Sequence, residues 1–315
     1  MLYGMFSFKM AYVTTIHDGF GSMEQIDPRV DIAFKKIFGV EENKDLLISL
    51  INSIVGQEDQ VVDVALLNPY NPRNFSKEKL SILDIKAKGA DGKRYNIEIQ
   101  ITDDADYDKR ALYYWGKLYT EQLKVAEDYS SLSKAIGIHI LNFTSIPEVT
   151  KYHNVFHITE KETGFVYFKD LELHTIELKK FSKNSHADLA DIVALVKNSL
   201  DMWVAFLTRR DLLKKDKLPS KLDNPALKKA LSVLDVMDFG DEEREAYESH
   251  LKWLRLEAST LKKYEAKGRE EKAREVANEL LIDGMTLEKV AKVTGLTLEV
   301  VEELARPATD PGKDV

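Results

Sequence analysis

A chain of 315 residues with 44% hydrophobic and 31% charged side chains can build one large or two modest domains. It has no cysteine, which excludes disulfides and thiolate metal sites, and no apolar run approaches the roughly 20 residues that span a bilayer. A formal net charge of -8 argues against tight non-specific DNA binding, although only a contact face has to be basic.

Met1 to Gly21 is mildly apolar and aromatic. It lacks a basic region ahead of a clean apolar core, so it does not read as a signal peptide. Residues 1–23 read as an extension or a disordered arm, Met23 is a candidate start, and the expected compartment is the cytoplasm. A first amphipathic helix is expected from about Pro28 to Ile54, with Asp27 as N-cap and proline at the first helical position. Gly39 interrupts it, Asn43 caps its second part and Gly56 ends it. A linker with Pro69 and Pro72 leads to a strand, Leu80 to Lys88, and a second, Lys93 to Thr102.

A helix from about Asp106 to Asp128 follows. Ala135 to Asn142 is a continuous apolar run, as a buried central strand requires. Val155–Thr159 and His174–Leu178 read as short strands with Gly164 in a turn between them. Asp188 to Thr208 reads as one apolar helix. A soft boundary falls near residue 210, and the remainder reads as helices to Ala305 and a frayed tail, 306–315.

Chemistry concentrates in the two central strands. Asp84, Lys86 and Lys88 share one face of the first; Asn96, Glu98 and Gln100 share one face of the second. A three-residue loop, Ala90-Asp91-Gly92, with Gly92 left-handed, sets Asp84 opposite Glu98 and Lys86 opposite Asn96. A two-residue loop would mix polar and apolar faces. Paired carboxylates repel, and a divalent cation relieves them; oxygen-only ligation with room for water suits magnesium or manganese. Gln100 is placed to orient a water, and Lys86 or Lys88 to stabilise charge developing on a phosphate. An ordinary solvated face of mixed charge fits the same strands, so the hairpin alone leaves both readings open.

The ordered segments Asp31-Ile-Ala-Phe-Lys-Lys-Ile-Phe-Gly39, Leu83-Asp84-Ile-Lys-Ala, Asn96-Ile-Glu98-Ile-Gln100 and Asp108-Lys-Arg110-Ala-Leu-Tyr-Tyr114-Trp resemble the Rpn-type recombination-promoting nucleases, often labelled PD-(D/E)XK nuclease family transposases. The resemblance runs over about residues 27–305. It implies an α/β, restriction-endonuclease-like mixed central sheet flanked by helices over 24–210, followed by an all-helical region, 211–305. It implies metal-dependent endonucleolytic hydrolysis of DNA that promotes recombination of mobile DNA, with Mg2+ or Mn2+ as cofactor and DNA as partner. The hydropathy leads to an expectation of no membrane association, and a homodimer is an option that the sequence leaves open.

By that resemblance Asp84 and Glu98 are the metal ligands. Gln100 stands where the wider superfamily has lysine, so Lys86 first and Lys35 second are candidates for the missing charge. Asp31 corresponds to an acidic residue on the first helix, though capping of that helix explains it equally well. Arg110 and Tyr114 share a helix face; Arg110 either reaches a phosphate, braces Glu98 or is a plain surface arginine. Asp103, Asp104, Asp106 and Asp108 read as helix N-terminal capping. His139 reads as a core histidine, and the scattered histidines do not suggest zinc.

Near the end, Met285 to Ala305 resembles a small helix-turn-helix. Its second helix carries Glu299, Glu302 and Glu303, which repel phosphates, so packing or partner binding is the better expectation. Lys262 to Glu279 reads as a solvated charged helix. The alternative to an endonuclease is a catalytically inactive DNA- or protein-binding member of the same fold. A third option is a regulator that acts through the C-terminal helices.

Overall fold

The computed structural model describes residues 25–70, 84–103, 106–182 and 187–305. The expected N-terminal arm and tail, Pro72, Asp104 and the first residues of the Leu80–Lys88 strand lie outside these. The chain divides into two compact units, up to Glu243 and from Arg244 onward.

The first unit opens with α1 (Asp31–Phe38) and α2 (Lys44–Ile54), separated at Gly39 by a short 3-10 turn, Glu41–Asn43. The expected start at Pro28 is displaced to Asp31. Asp27 does not cap the helix, because its carboxylate takes the Arg29 backbone N–H at 2.9 Å and the Arg29 guanidinium at 2.7 Å. Asn43 occupies the N-cap position of α2 without a capping bond from its side chain.

The sheet consists of β1 (Val64–Leu66), β2 (Asp84–Gly89), β3 (Arg94–Gln100), β4 (Ala135–Leu141), β5 (His153–Thr159) and β6 (Val166–Glu177), in the order β1-β2-β3-β4-β6-β5. The outer pairs are antiparallel, while β3–β4 and β4–β6 are parallel. Every residue of β4 is buried, as its unbroken apolar run requires. The Tyr95, Ile97 and Ile99 face of β3 meets Ile85 of β2 and Ile136, Ile138 and Ile140 of β4 in a core shared with Phe34, Phe38, Leu47 and Trp203. The opposite face is covered by α3 (Tyr107–Thr120). That helix stops at Thr120 rather than near Asp128; irregular turns follow, with Ala126 in the left-handed region at φ 70°.

β6 is longer than expected and continues past the packed body with β5 as a hairpin whose Phe156, Phe165, Tyr167 and Phe168 are exposed. After α4 (Leu178–Phe181), the expected single helix over Asp188–Thr208 is two, α5 (Leu189–Leu195) and α6 (Ser199–Thr208). Each begins with its own reciprocal capping box, Asp188 with Asp191 and Asn198 with Asp201, so the break is written in local polar residues. The unit does not end near residue 210. Leu213 and Leu222, then Leu227, Leu231 and Leu234 around α7 (Pro225–Asp235), complete the same core.

A buried polar chain runs beside that core. Lys134 Nζ bridges Asp59 at 2.6 Å and Glu172 at 2.8 Å, and Glu172 also accepts from His174 at 2.7 Å. Burial raises the Glu172 carboxyl, but bonds from His174 and Lys134 outweigh it and hold the group down to about 2.

The hairpin loop is fixed by Gly92, at φ 90°, whose N–H donates to the Gly89 carbonyl at 3.0 Å. A Cβ there would lie 2.7 Å from Ser133 Oγ, whereas one at Gly164, φ 71°, would meet nothing within 4 Å. Gly92→Ala is therefore expected to lower stability by about 2 kcal/mol and Gly164→Ala by about 1 kcal/mol, read by urea unfolding.

α8 (Asp241–Ile282) is a helix of 42 residues that leads into the second unit. Ion pairs stud its exposed surface, among them Lys267–Glu271 at 3.7 Å and Arg274–Glu270 at 3.2 Å. α9 (Leu287–Thr294) and α10 (Leu298–Ala305) follow, joined through Gly295 at φ 72°. Ala277, Val290 and Val301 form this unit's own small core, and Glu299, Glu302 and Glu303 face solvent. Among the described residues no helix is long and apolar enough to cross a membrane.

Candidate active site

The hairpin register decides what the site contains. Asp84 pairs directly with Glu98, Lys86 with Asn96 and Lys88 with Arg94. Directly opposed residues share a face, with Cβ atoms about 5 Å apart. The two carboxylates therefore stand side by side on the face away from the main apolar core.

Further groups close around them. Asp31, at the start of α1, is buried and electrostatically coupled to Glu98. Burial first, and Glu98 second, push its carboxyl up to about 7. Glu98 is 8% exposed; burial raises its carboxyl, Arg110 opposes the rise and Asp84 adds to it. Arg110 on α3 lies 4.0 Å from Glu98 Oε1, at the outer reach of an ion pair.

The sequence-predicted lysines separate. Lys35 is 3% exposed and donates to the Asp84 backbone carbonyl at 2.9 Å. Lys86 lies on the carboxylate face, but its Nζ is 3.8 Å from Glu121 at the end of α3. Gln100 projects from the same strand as Glu98, and its amide donates to the Thr102 carbonyl at 3.1 Å. Tyr114 packs its ring on Tyr113 at 5.4 Å, while Tyr107 is the ring beside Arg110, at 6.0 Å. Asp106 makes no capping bond and instead holds Lys109 at 3.1 Å.

Two neighbours were not legible as site residues. His139 lies beside Glu98 in the parallel β3–β4 register, its Nδ1 3.8 Å from Glu98 Oε2. Burial, with Arg110 nearby, holds it down to about 4, so it is neutral. Only the pairing of distant strands reveals this contact. Asn68 is the other: its amide donates to the Asp84 carbonyl at 3.0 Å and its Oδ1 accepts from the Lys86 N–H at 2.7 Å. It clamps the backbone that carries Asp84, and its position before Pro69 was the sole local signal.

Among the described residues no group of three or more His, Cys, Asp or Glu side chains could hold a metal ion. The site offers a pair of carboxylates rather than a closed protein cage. A profile described as PD-(D/E)XK nuclease family transposase matches residues 28–264. The chain belongs to this family. No curated protein and no solved structure matches it. The mixed six-stranded sheet flanked by helices is the restriction-endonuclease-like fold of PD-(D/E)XK nucleases, and a nuclease-like function in general follows from membership. In this PD-(D/E)XK chain the matched span carries both strands of the carboxylate hairpin and Asp31, Lys35 and Arg110.

Proposed function

We propose that the chain is a metal-dependent DNA endonuclease that hydrolyses phosphodiester bonds, with magnesium or manganese as cofactor. The observation that carries this reading is the direct cross-strand pairing of Asp84 and Glu98. Crowding of Asp31, Asp84 and Glu98, felt as raised carboxyls on Asp31 and Glu98, suits a hard cation. A pair of carboxylate oxygens as the principal donors suits an ion that keeps much of its water.

Asp84 and Glu98 would hold the ion. When bound, it supplies polarisation of a phosphodiester and a water of lowered pKa. The chain's own groups do the rest. Lys35 and Asn68 fix the Asp84 backbone from two sides. Arg110 faces Glu98, and Gln100, whose amide nitrogen is engaged by Thr102, would leave its Oε1 to accept from a water on the same strand face. Lys35 is the better of the two candidates for the charge of the missing lysine, because it is buried against Asp84 and Lys86 is shared with Glu121.

The family resemblance extends the proposal to breaks that promote recombination of mobile DNA in the cytoplasm. A homodimer would present a site to each strand of a duplex. The competing reading, an inert DNA- or protein-binding relative, draws on Gln100 standing in place of lysine.

A supercoiled-plasmid assay separates them. Wild type is expected to nick plasmid only with magnesium or manganese, and Asp84→Ala to lose this at least 100-fold. Wild-type protein that binds DNA but never cuts it with either ion would leave the inert reading standing.

A further inference from the structure

Further along the hairpin face, Lys88 and Arg94 stand directly opposite each other. Like charges in that arrangement repel. Among the described residues neither side chain makes a salt bridge or a hydrogen bond, and the Arg94 Nε is buried without a partner. Both line a depression of about 330 Å³ together with Gln122 and Ser133.

The walls of that depression are held in place. Gln122 exchanges two hydrogen bonds with the Ser133 backbone, at 2.8 and 3.0 Å. Carboxylates also line it, but they are turned to their own loop. Asp128 accepts from the Ser130 N–H at 2.8 Å, and Glu127 from the Lys124 N–H at 2.8 Å. An open hollow with two cations, one of them a guanidinium whose Nε is unanswered, suits an anion with several acceptor oxygens.

Position identifies the anion. Lys88 lies four residues from Asp84, and Arg94 four from Glu98, about 13 Å along the strands. The pair is too distant to serve the phosphate held at the carboxylates, so the transition-state role expected for Lys88 does not fit. A nucleic-acid strand laid along β2, where Lys88 is exposed, would instead bring another of its phosphates to the pair.

We propose that Lys88 and Arg94 bind a backbone phosphate of DNA a few nucleotides from the scissile one, and so set the strand's register across the site. This rests on the nuclease reading for the position of the scissile phosphate. Phosphate contacts of this kind position a duplex without reading its sequence.

The test is fluorescence anisotropy of a labelled duplex, without divalent metal, over a salt series. The proteins are wild type, Lys88→Gln/Arg94→Gln and the charge-conserving Lys88→Arg/Arg94→Lys. Loss of this one phosphate contact is expected to reduce the salt slope by about 0.9, with the conserving variant retaining the wild-type slope. A neutral methylphosphonate linkage at one position should erase the difference between wild type and the glutamine variant. An unchanged slope in the glutamine variant overturns the proposal. So does a methylphosphonate series in which no position erases that difference while inorganic phosphate still binds the wild type and not the glutamine variant, since that marks a free-phosphate pocket. A slope change in the glutamine variant with wild type that never cuts plasmid overturns the nuclease reading alone; intact cutting by wild type with no slope change in the variant overturns this one alone.

Discussion

Glu98→Gln is expected to cut supercoiled plasmid about 1000-fold more slowly than wild type while melting at a higher temperature without divalent metal. Both effects come from one carboxylate. The loss of rate would follow from removing half of the proposed ligand pair, since a cation bound there would supply several kcal/mol of charge stabilisation. The gain in stability follows from the raised Glu98 carboxyl: burial and Asp84 disfavour its charged form in the folded chain. A group whose folded pKa is raised costs stability as pH climbs past its ordinary value, so the melting gain should be present at neutral pH and vanish below about pH 4. Added magnesium should raise the melting temperature of wild type and leave Glu98→Gln unmoved. A variant that cuts at the wild-type rate would dismiss Glu98 from the chemistry.

The largest effect on folding is expected at Lys134. Its Nζ holds both Asp59 and Glu172, which are 2% and 5% exposed. Lys134→Met leaves those carboxylates buried with weaker support, a change worth about 3–5 kcal/mol when one partner of a buried pair is removed. Urea unfolding reads it directly. Glu172→Gln is expected to be milder, because Lys93 and Lys134 still serve Asp59. Its cost should also depend on pH in a defined window. The Glu172 carboxyl lies near 2 in the folded chain against an ordinary 4.5, so its contribution is complete above about 4.5 and disappears as pH falls toward 2. The wild-type and Glu172→Gln stability curves should therefore converge across that interval. Parallel curves would mean that Glu172 does not carry the charge assigned to it.

What could be read from sequence, and what could not, divides by the distance over which the information acts. The Asp84–Glu98 register was legible because a strand alternates with period two and the loop that closes the hairpin has a fixed length. Ala135–Leu141 was legible as a central strand from its unbroken apolar run. His139 beside Glu98 was not, since it depends on a parallel pairing between strands more than thirty residues apart. The same holds for Lys35, whose target is a backbone carbonyl with no sequence signature. Some local signals were present and misjudged. Asp27-Pro28 looks like a helix start, yet Arg29 captures the aspartate and, at 3.2 Å, Asn142 as well. Asp188 and Asn198 each announced a helix N-terminus, but the apolar content between them suggested continuity.

The contrast between a locally closed hairpin and parallel inner strands has a kinetic consequence. β2 and β3 meet across a short loop, whereas β4 docks on β3, and β6 on β4, only after long intervening segments have been ordered. Chains dominated by such distant pairings acquire their native state slowly. Asp84 and Glu98 would thus be brought together early, while Lys134, Glu172 and His139 arrive late. Pulse-labelled amide exchange during refolding should protect the Ile85–Ile97 ladder ahead of the Ile138 ladder, with the nascent chain passing through a stage in which its acidic pair exists without its neighbours.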